Sequence, residues 1–381
     1  MRLAVIRERQ DQETRVAATP ETVRKLIGLG LEVAVEAGAG LASGIADDDY
    51  AQAGAQIAAD AGTAEAGAKI VFAVQMPSEL GGIAPGTLLV CISGMGSDAE
   101  RARAVAAAGI DVVAMEMLPR ITRAQSMDVL SSQANLAGYR AVIEAAGAFD
   151  RGFPMMMTAA GTVPPARVFV IGAGVAGLQA IATARRMGAI VSATDVRPAA
   201  KEEIKSLGAN FVGVEDEESA AAQTSGGYAR EMSEAYRAKQ AELVAATIAK
   251  TDIVITTALV MGRRAPVLVS EAHVASMKPG SVIVDIASDA GGNCAMTEPG
   301  RLRVTDNGVK ILGYRNWPGR LPVAASALYA RNLLTFLTTF WDKDSGAPKL
   351  PEADPIVGGA MLTRGGLVVH PGLAAAAPAA A

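Results

Sequence analysis

The residue types and spacing best suited to chemistry occur in Gly172-Ala-Gly174-Val-Ala-Gly177, preceded by the apolar run Arg167–Ile171 and followed by a helical stretch. Gly172 permits a tight turn, Gly174 lets the backbone approach a pyrophosphate, and Gly177 lets the helix pack close to its strand. The next strand ends in Asp195, about 20 residues on, where a carboxylate can accept hydrogen bonds from an adenosine ribose. Asp195 would repel a 2′-phosphate, which favours NAD over NADP. Arg197 is the counter-signal, because a nearby arginine can accommodate that phosphate. Val175, Ala176, Val196 and Ala258 complete the set expected along the nucleotide. The competing reading is a glycine-rich turn with no ligand.

A second chemical fact is a shortage. Only His273 and His370 are present, so a His-rich metal centre is excluded and the first 272 residues hold no imidazole. Chemistry placed there must use other groups or need no proton carrier. Two cysteines, Cys91 and Cys294, are too few for a disulfide framework; they read as buried small side chains in a reducing compartment.

The elements that position these residues follow from an alternation of short β-branched runs with Ala-rich helical stretches, the pattern of parallel α/β architecture. Strands are expected at residues 3–6, 31–36, 70–74, 88–92 and 111–115, then at 167–171, 190–194, 210–214, 252–257 and 281–285. Thr19-Pro20 reads as an N-cap with proline in the first turn, and Gly30 ends that helix. Residues 126–149 form a helix with Leu136, Tyr139, Ile143 and Ala146 on one face, and Leu333, Leu337, Phe340 and Trp341 mark another. The expected fold is α/β, with two Rossmann-like, doubly wound parallel-sheet domains joined by these long helices: 1–135 plus 318–381, and 136–317.

With 381 residues, half of them hydrophobic, the chain can bury a sizeable core. Its 35 Lys+Arg against 39 Asp+Glu give a net charge of −4, which argues against a nucleic-acid groove or a polybasic membrane patch. No secretion signal or membrane span is expected, and the Ala/Pro tail over residues 373–381 reads as frayed, Leu373 included.

Three long segments and an N-terminal signature carry a resemblance over most of the chain. The signature is Arg7-Glu-Arg-Gln-Asp-Gln-Glu-Thr-Arg15-Val-Ala-Ala-Thr-Pro20, and the segments span residues 116–140, 153–167 and 226–232. They resemble the alanine dehydrogenase/pyridine nucleotide transhydrogenase family, and most closely the NAD(H)-binding component of proton-translocating transhydrogenase. The resemblance implies a loop beside the nicotinamide bearing Arg120, Gln125 and Asp128, with Ser131 just beyond, and a mobile loop bearing Tyr228. A guanidinium, an amide and a carboxylate on one loop can orient a carboxamide and ribose hydroxyls. The plainer readings are a solvated helix start for Arg120 and Asp128, and a packing tyrosine for Tyr228.

Within the family, the alanine dehydrogenase branch supplies a lysine and a histidine for its keto-acid substrate. The matching stretches here are Val74-Gln75-Met76-Pro77 and Cys91-Ile-Ser-Gly94, which contain neither. Asp289 points the other way, since it resembles a carboxylate that branch uses; it either contacts ribose or belongs to the turn before Gly291. Direct hydride transfer between two nicotinamides moves no proton and needs only two C4 atoms held at roughly 3 to 3.5 Å. With one dinucleotide fingerprint, the chain is expected to hold NAD(H), with NADP(H) on a partner component. The resemblance further implies membrane-spanning proton-channel subunits, a homodimer, and a cytoplasmic position peripheral to the inner membrane. The alternatives are an alanine dehydrogenase-like oxidoreductase and a non-catalytic NAD-binding protein.

Overall fold

The β-branched runs of the first third pair side by side and in parallel, because each is apolar on both faces and must be covered on both. Strands β1 (Arg2–Val5), β2 (Glu32–Glu36), β3 (Gln56–Ala58), β4 (Ala68–Gln75), β5 (Leu88–Ile92) and β6 (Asp111–Ala114) lie in the order β3-β2-β1-β4-β5-β6. Two antiparallel strands from the C-terminal segment, Met361–Arg364 and Leu367–Val368, extend the β6 edge. Leu3, Val5, Ile70, Phe72, Val74 and Val90 pack one face, and Ala4, Val71, Ala73, Leu89 and Cys91 the other. The computed structural model describes residues 1–96, 98–214, 233–259 and 263–374. By its internal contacts the chain divides into Met1–Gln133 with Gly319–Ala381, and Ala134–Pro318.

The second unit carries a two-stranded hairpin, β7 (Met156–Thr158) and β8 (Gly161–Val163), which leaves Met155, Met156 and Met157 exposed. Its main sheet holds β9 (Arg167–Ile171), β10 (Ile190–Thr194), β11 (Asn210–Phe211), β12 (Ile253–Thr256), β13 (Val282–Asp285), β14 (Leu302–Val304) and β15 (Lys310–Leu312). Their order is β11-β10-β9-β12-β13-β15-β14, parallel except for β14 at the edge.

Local signals act where the sequence puts them. Thr19 accepts the Thr22 N–H and Thr22 accepts the Thr19 N–H, closing a capping box ahead of the helix Pro20–Gly28; Gly30 comes after it at φ +89°. Leu333 and Leu337 are fully buried on the helix Pro322–Thr339. Strand β11 is shorter than expected: it stops at Phe211, and Gly213 lies directly against the Phe211 ring.

The helix Val129–Ala148 corrects the reading of its apolar face. Tyr139 is exposed and Leu136, Ile143 and Ala146 are only partly buried, whereas Ala137, Ala141 and Ala145 are inside. Small residues win because the backbone comes close: a Cβ on Gly138 would lie 2.0 Å from the Ala176 carbonyl oxygen. This helix carries the chain across the boundary at Gln133. The return crossing at Pro318–Gly319 precedes the helix Pro322–Thr339, which therefore lies wholly in the first unit.

Among the described residues, no helix is long and apolar enough to cross a membrane, and no group of three His, Cys, Asp or Glu is placed to hold a metal. Cys91 and Cys294 are both buried and unpaired, and burial pushes both thiols up.

Candidate dinucleotide-binding site

In the second unit the chain leaves β9 at Ile171 and turns through Gly172 at φ +100°, a conformation that favours glycine. A Cβ on Gly172 would sit 2.5 Å from Thr257 Oγ1, and one on Gly177 would sit 1.8 Å from the Gly172 carbonyl oxygen. The two positions are thus closed by the protein itself. Gly174 is different: nothing lies within 4 Å of where its Cβ would be. It caps the helix Val175–Arg186, whose first amides receive no side-chain cap, so the positive end of the helix dipole faces an open turn. That cradle fits a pyrophosphate.

Asp195, just beyond β10, is brought beside this turn. Its carboxylate accepts the Ala173 N–H at 2.6 Å and the Arg197 N–H at 2.8 Å. The Arg197 side chain pairs with it at 3.0 Å and also donates to the Ala173 carbonyl. Arg197 is therefore committed to Asp195 and the glycine turn. Val175 and Val196 are exposed at the same place, while Ala176 is buried under the helix start. Ala258 follows β12, and its N–H would be 3.6 Å from a Gly172 Cβ. Its own main chain is bound by Asn293. Tyr228 lies outside the described residues.

Arg120, Gln125, Asp128 and Ser131 belong to the first unit's contact group. Arg120 and Gln125 are exposed on the loop that precedes the helix Val129–Ala148. Asp128 and Ser131 satisfy each other: the carboxylate accepts the Ser131 N–H at 2.9 Å and its hydroxyl at 2.5 Å. This is N-cap geometry, so Asp128 has a structural task whatever else it does. Asn332 fixes the loop from below, donating to the Ser126 carbonyl at 2.9 Å and accepting the Ser132 hydroxyl at 2.8 Å. Asp289, in the second unit, lies in the turn Ser288–Ala290 just before Gly291, and its carboxylate accepts the Asn316 N–H at 2.9 Å.

A cluster absent from the sequence-based site lies at the carboxyl ends of β1 and β4 in the first unit. Arg15 and Glu13 form a buried ion pair at 2.6 Å, and Gln75 donates to Glu13 at 3.0 Å. Arg15 also donates to the Gln133 side chain. Burial alone would raise the Glu13 carboxyl; the Arg15 guanidinium outweighs it and holds it low. Glu8 accepts the Val74 and Gln75 N–H groups, and burial pushes its carboxyl up to about 7. The signal available was the charge density of residues 7–15 directly after an apolar strand. Gln75 stands in the stretch where the lysine was missed, and its amide is spent on Glu13.

Models of two families of domain match this chain: the alanine dehydrogenase/PNT N-terminal domain over residues 4–137 and the alanine dehydrogenase/PNT C-terminal domain over residues 141–371. The chain belongs to the alanine dehydrogenase/PNT family. Within that family it is 53% identical over 380 residues to a Rhodospirillum rubrum protein named as the first numbered piece of NAD(P) transhydrogenase subunit alpha, covering 98% of this chain and 99% of that one. Alanine dehydrogenase of Mycobacterium tuberculosis is 33% identical over 298 residues, covering 77% and 74%. Among solved structures, transhydrogenase from Sinorhizobium meliloti matches with a TM-score of 0.88 at 51% identity, covering 97% of this chain and all of that one. An L-alanine dehydrogenase matches with a TM-score of 0.80 at 26% identity, covering 98% of each. The family thus places the chain among transhydrogenase alpha-subunit homologues with two Rossmann-like units.

Proposed function

We propose that this chain is the NAD(H)-binding component of a proton-translocating transhydrogenase, exchanging hydride between its own NAD(H) and NADP(H) on a partner component. The observation that carries the reading is 53% identity along the whole length of a protein named as one numbered piece of an alpha subunit, since a numbered piece implies further pieces. The chemistry of the first unit supports it. Reductive amination needs a general acid and a cation free to hold a carboxylate; here Arg15 is consumed by Glu13, and Gln75 carries no charge.

The dihydronicotinamide supplies the hydride when bound. The chain's own work is binding and orientation. The glycine turn and the helix start take the pyrophosphate, and Asp195, with Val196 and Arg197, takes the adenosine end. Arg120, Gln125, Asp128 and Ser131 orient the nicotinamide end, with Tyr228 closing on the nucleotide. The partners are an NADP(H)-binding component and membrane-spanning proton-channel subunits. The chain is a homodimer held at the cytoplasmic face of the inner membrane through them. Exposed Met155, Met156 and Met157 support self-association, as contiguous apolar surface that a monomer leaves wet.

Reconstitution tests the reading. Purified chain, NADH and an NADP-loaded partner component are mixed, and hydride exchange is followed optically. Exchange only with the partner is the expected result. Turnover of pyruvate and ammonia by the chain alone would replace the reading with an alanine dehydrogenase-like one, and binding without either reaction would leave a non-catalytic NAD-binding protein.

A further inference from the structure

Ala258 has no functional side chain, yet one buried residue holds both of its main-chain polar groups. Asn293, with 0% exposure, accepts the Ala258 N–H at 3.0 Å and donates to the Ala258 carbonyl at 2.9 Å. Its amide also donates to the Pro266 carbonyl at 2.8 Å, so it ties together two points eight residues apart. Three short bonds to a fully buried amide leave it little rotational freedom.

Asn293 is fixed in turn by Asp285 at the end of β13. The Asp285 carboxylate, fully buried, accepts the Asn293 N–H at 2.8 Å, the Cys294 N–H at 3.0 Å and the Thr297 hydroxyl at 2.6 Å on one oxygen. The other oxygen accepts the Ala287 N–H at 3.0 Å and the Thr256 hydroxyl at 3.2 Å. A buried carboxylate surrounded by donors is an anchored group, because giving up any bond leaves a charge or a donor unpaired.

Strand order says which half of a dinucleotide this anchor serves. Strand β9 lies between β10 and β12; Asp195 follows β10 on one side, and Ala258 follows β12 on the other, beside Gly172. A dinucleotide with its pyrophosphate on the β9 turn and its adenosine ribose at Asp195 must run its other half past Ala258. We infer that Asn293, anchored by Asp285, is the positioning residue for the nicotinamide-ribose half of the site. It presets the main chain along which that half lies. The inference rests on the NAD(H) reading above and adds a residue to it.

The test is equilibrium binding of NADH and of AMP to the full chain, which needs no partner and no turnover. Asn293→Leu keeps the branched four-atom side-chain skeleton and removes all three side-chain bonds. It is expected to raise the Kd for NADH by about tenfold or more while changing that for AMP by less than about twofold. Thr297→Val removes one bond at the far end of the relay, and is expected to raise the NADH Kd by roughly two- to fourfold with AMP unchanged. Wild-type chain that binds neither ligand would sink the NAD(H) reading itself. Wild-type binding with Asn293→Leu unaffected, or with NADH and AMP weakened equally, overturns this inference alone. If circular dichroism shows Asn293→Leu unfolded, Thr297→Val decides, and an unchanged NADH Kd with that variant overturns the inference.

Discussion

The two units order their first five strands alike, 3-2-1-4-5, so each offers a crevice beyond the carboxyl ends of its first and fourth strands. The residues just after the first strand differ. After β9 come three glycines within six residues and a helix start, leaving backbone amides open to an anion. After β1 comes a charged run, residues 7–15, in which Glu13 pairs with Arg15 and accepts from Gln75, while Glu8 accepts the main-chain N–H groups at the end of β4. The same sheet order therefore yields one turn whose backbone amides stay open to a ligand, and one whose charged side chains are taken up by the protein itself beside a cavity lined by Glu8, Gln75 and Glu79. Strand order sets where a site can be, and the turn chemistry sets what it can hold.

The largest effect expected from this contrast comes from breaking the buried ion pair. Glu13→Ala leaves Arg15, whose side chain is only 4% exposed, without its carboxylate. Removing one partner of a buried pair costs about 3–5 kcal/mol. Urea unfolding of the full chain measures it, and a loss below about 1 kcal/mol would mean that the pair contributes no more than an exposed one.

Glu8 gives the next effect, as a pH dependence. Burial raises its carboxyl from 4.5 to about 7, with the Glu13 charge adding to the rise and the Val74 and Gln75 amides and Arg15 opposing it. Between those two values the folded chain keeps a proton that the unfolded chain has released. Stability therefore falls as pH rises through that window, by at most about 3 kcal/mol. Glu8→Gln should remove that share of the slope. Identical stability profiles for wild type and variant from pH 4 to pH 8 would show that Glu8 is not the group responsible.

In the open crevice, Asp195→Asn weakens a charge-assisted acceptor. NADH binding should fall by about tenfold and NADPH binding much less, since only the latter gains from losing a carboxylate beside its 2′-phosphate. Equal losses would remove Asp195 from the ribose. Arg197, paired with Asp195 in the structure, makes this a sharper test than the sequence allowed, because the variant also frees that guanidinium.

How much of this was readable from residues alone depends on whether the signal was periodic. Strands β5, β9 and β10 run over the very residues their β-branched runs marked, and the glycine turn lies where its spacing put it. The helix Val129–Ala148 misled because large apolar residues were counted as the buried face, when Gly138 and the alanines were inside; close backbone approach selects small side chains, which hydropathy ranks low. The Glu8, Glu13 and Arg15 cluster was missed for a related reason. Buried charges follow no period, and only the partners brought from β4 and Gln133 make their burial tolerable. Asn293 was invisible in the same way, since its three acceptors and donors lie 27 to 35 positions away along the chain.

The smallest effect concerns how each unit steadies a loop. In the second unit the wall at Ala258 is held by fully buried Asn293; in the first, the stretch Thr122–Met127 is held at Ser126 by buried Asn332 and is further tied to the C-terminal segment by an ion pair between Arg123 and Asp354. The Arg123 side chain is 53% exposed, so water and salt screen the pair. A double-mutant cycle with Arg123→Ala and Asp354→Asn should give a coupling of roughly 0.5 kcal/mol in unfolding stability, falling further in 1 M salt. Asp354 also accepts the Ile356 N–H as the cap of the helix Pro355–Ala360, which is why the single variant alone overstates the pair. A salt-insensitive coupling above about 2 kcal/mol would mean that this exposed tether behaves like a buried contact, no different in kind from the anchors at Asn293 and Asn332.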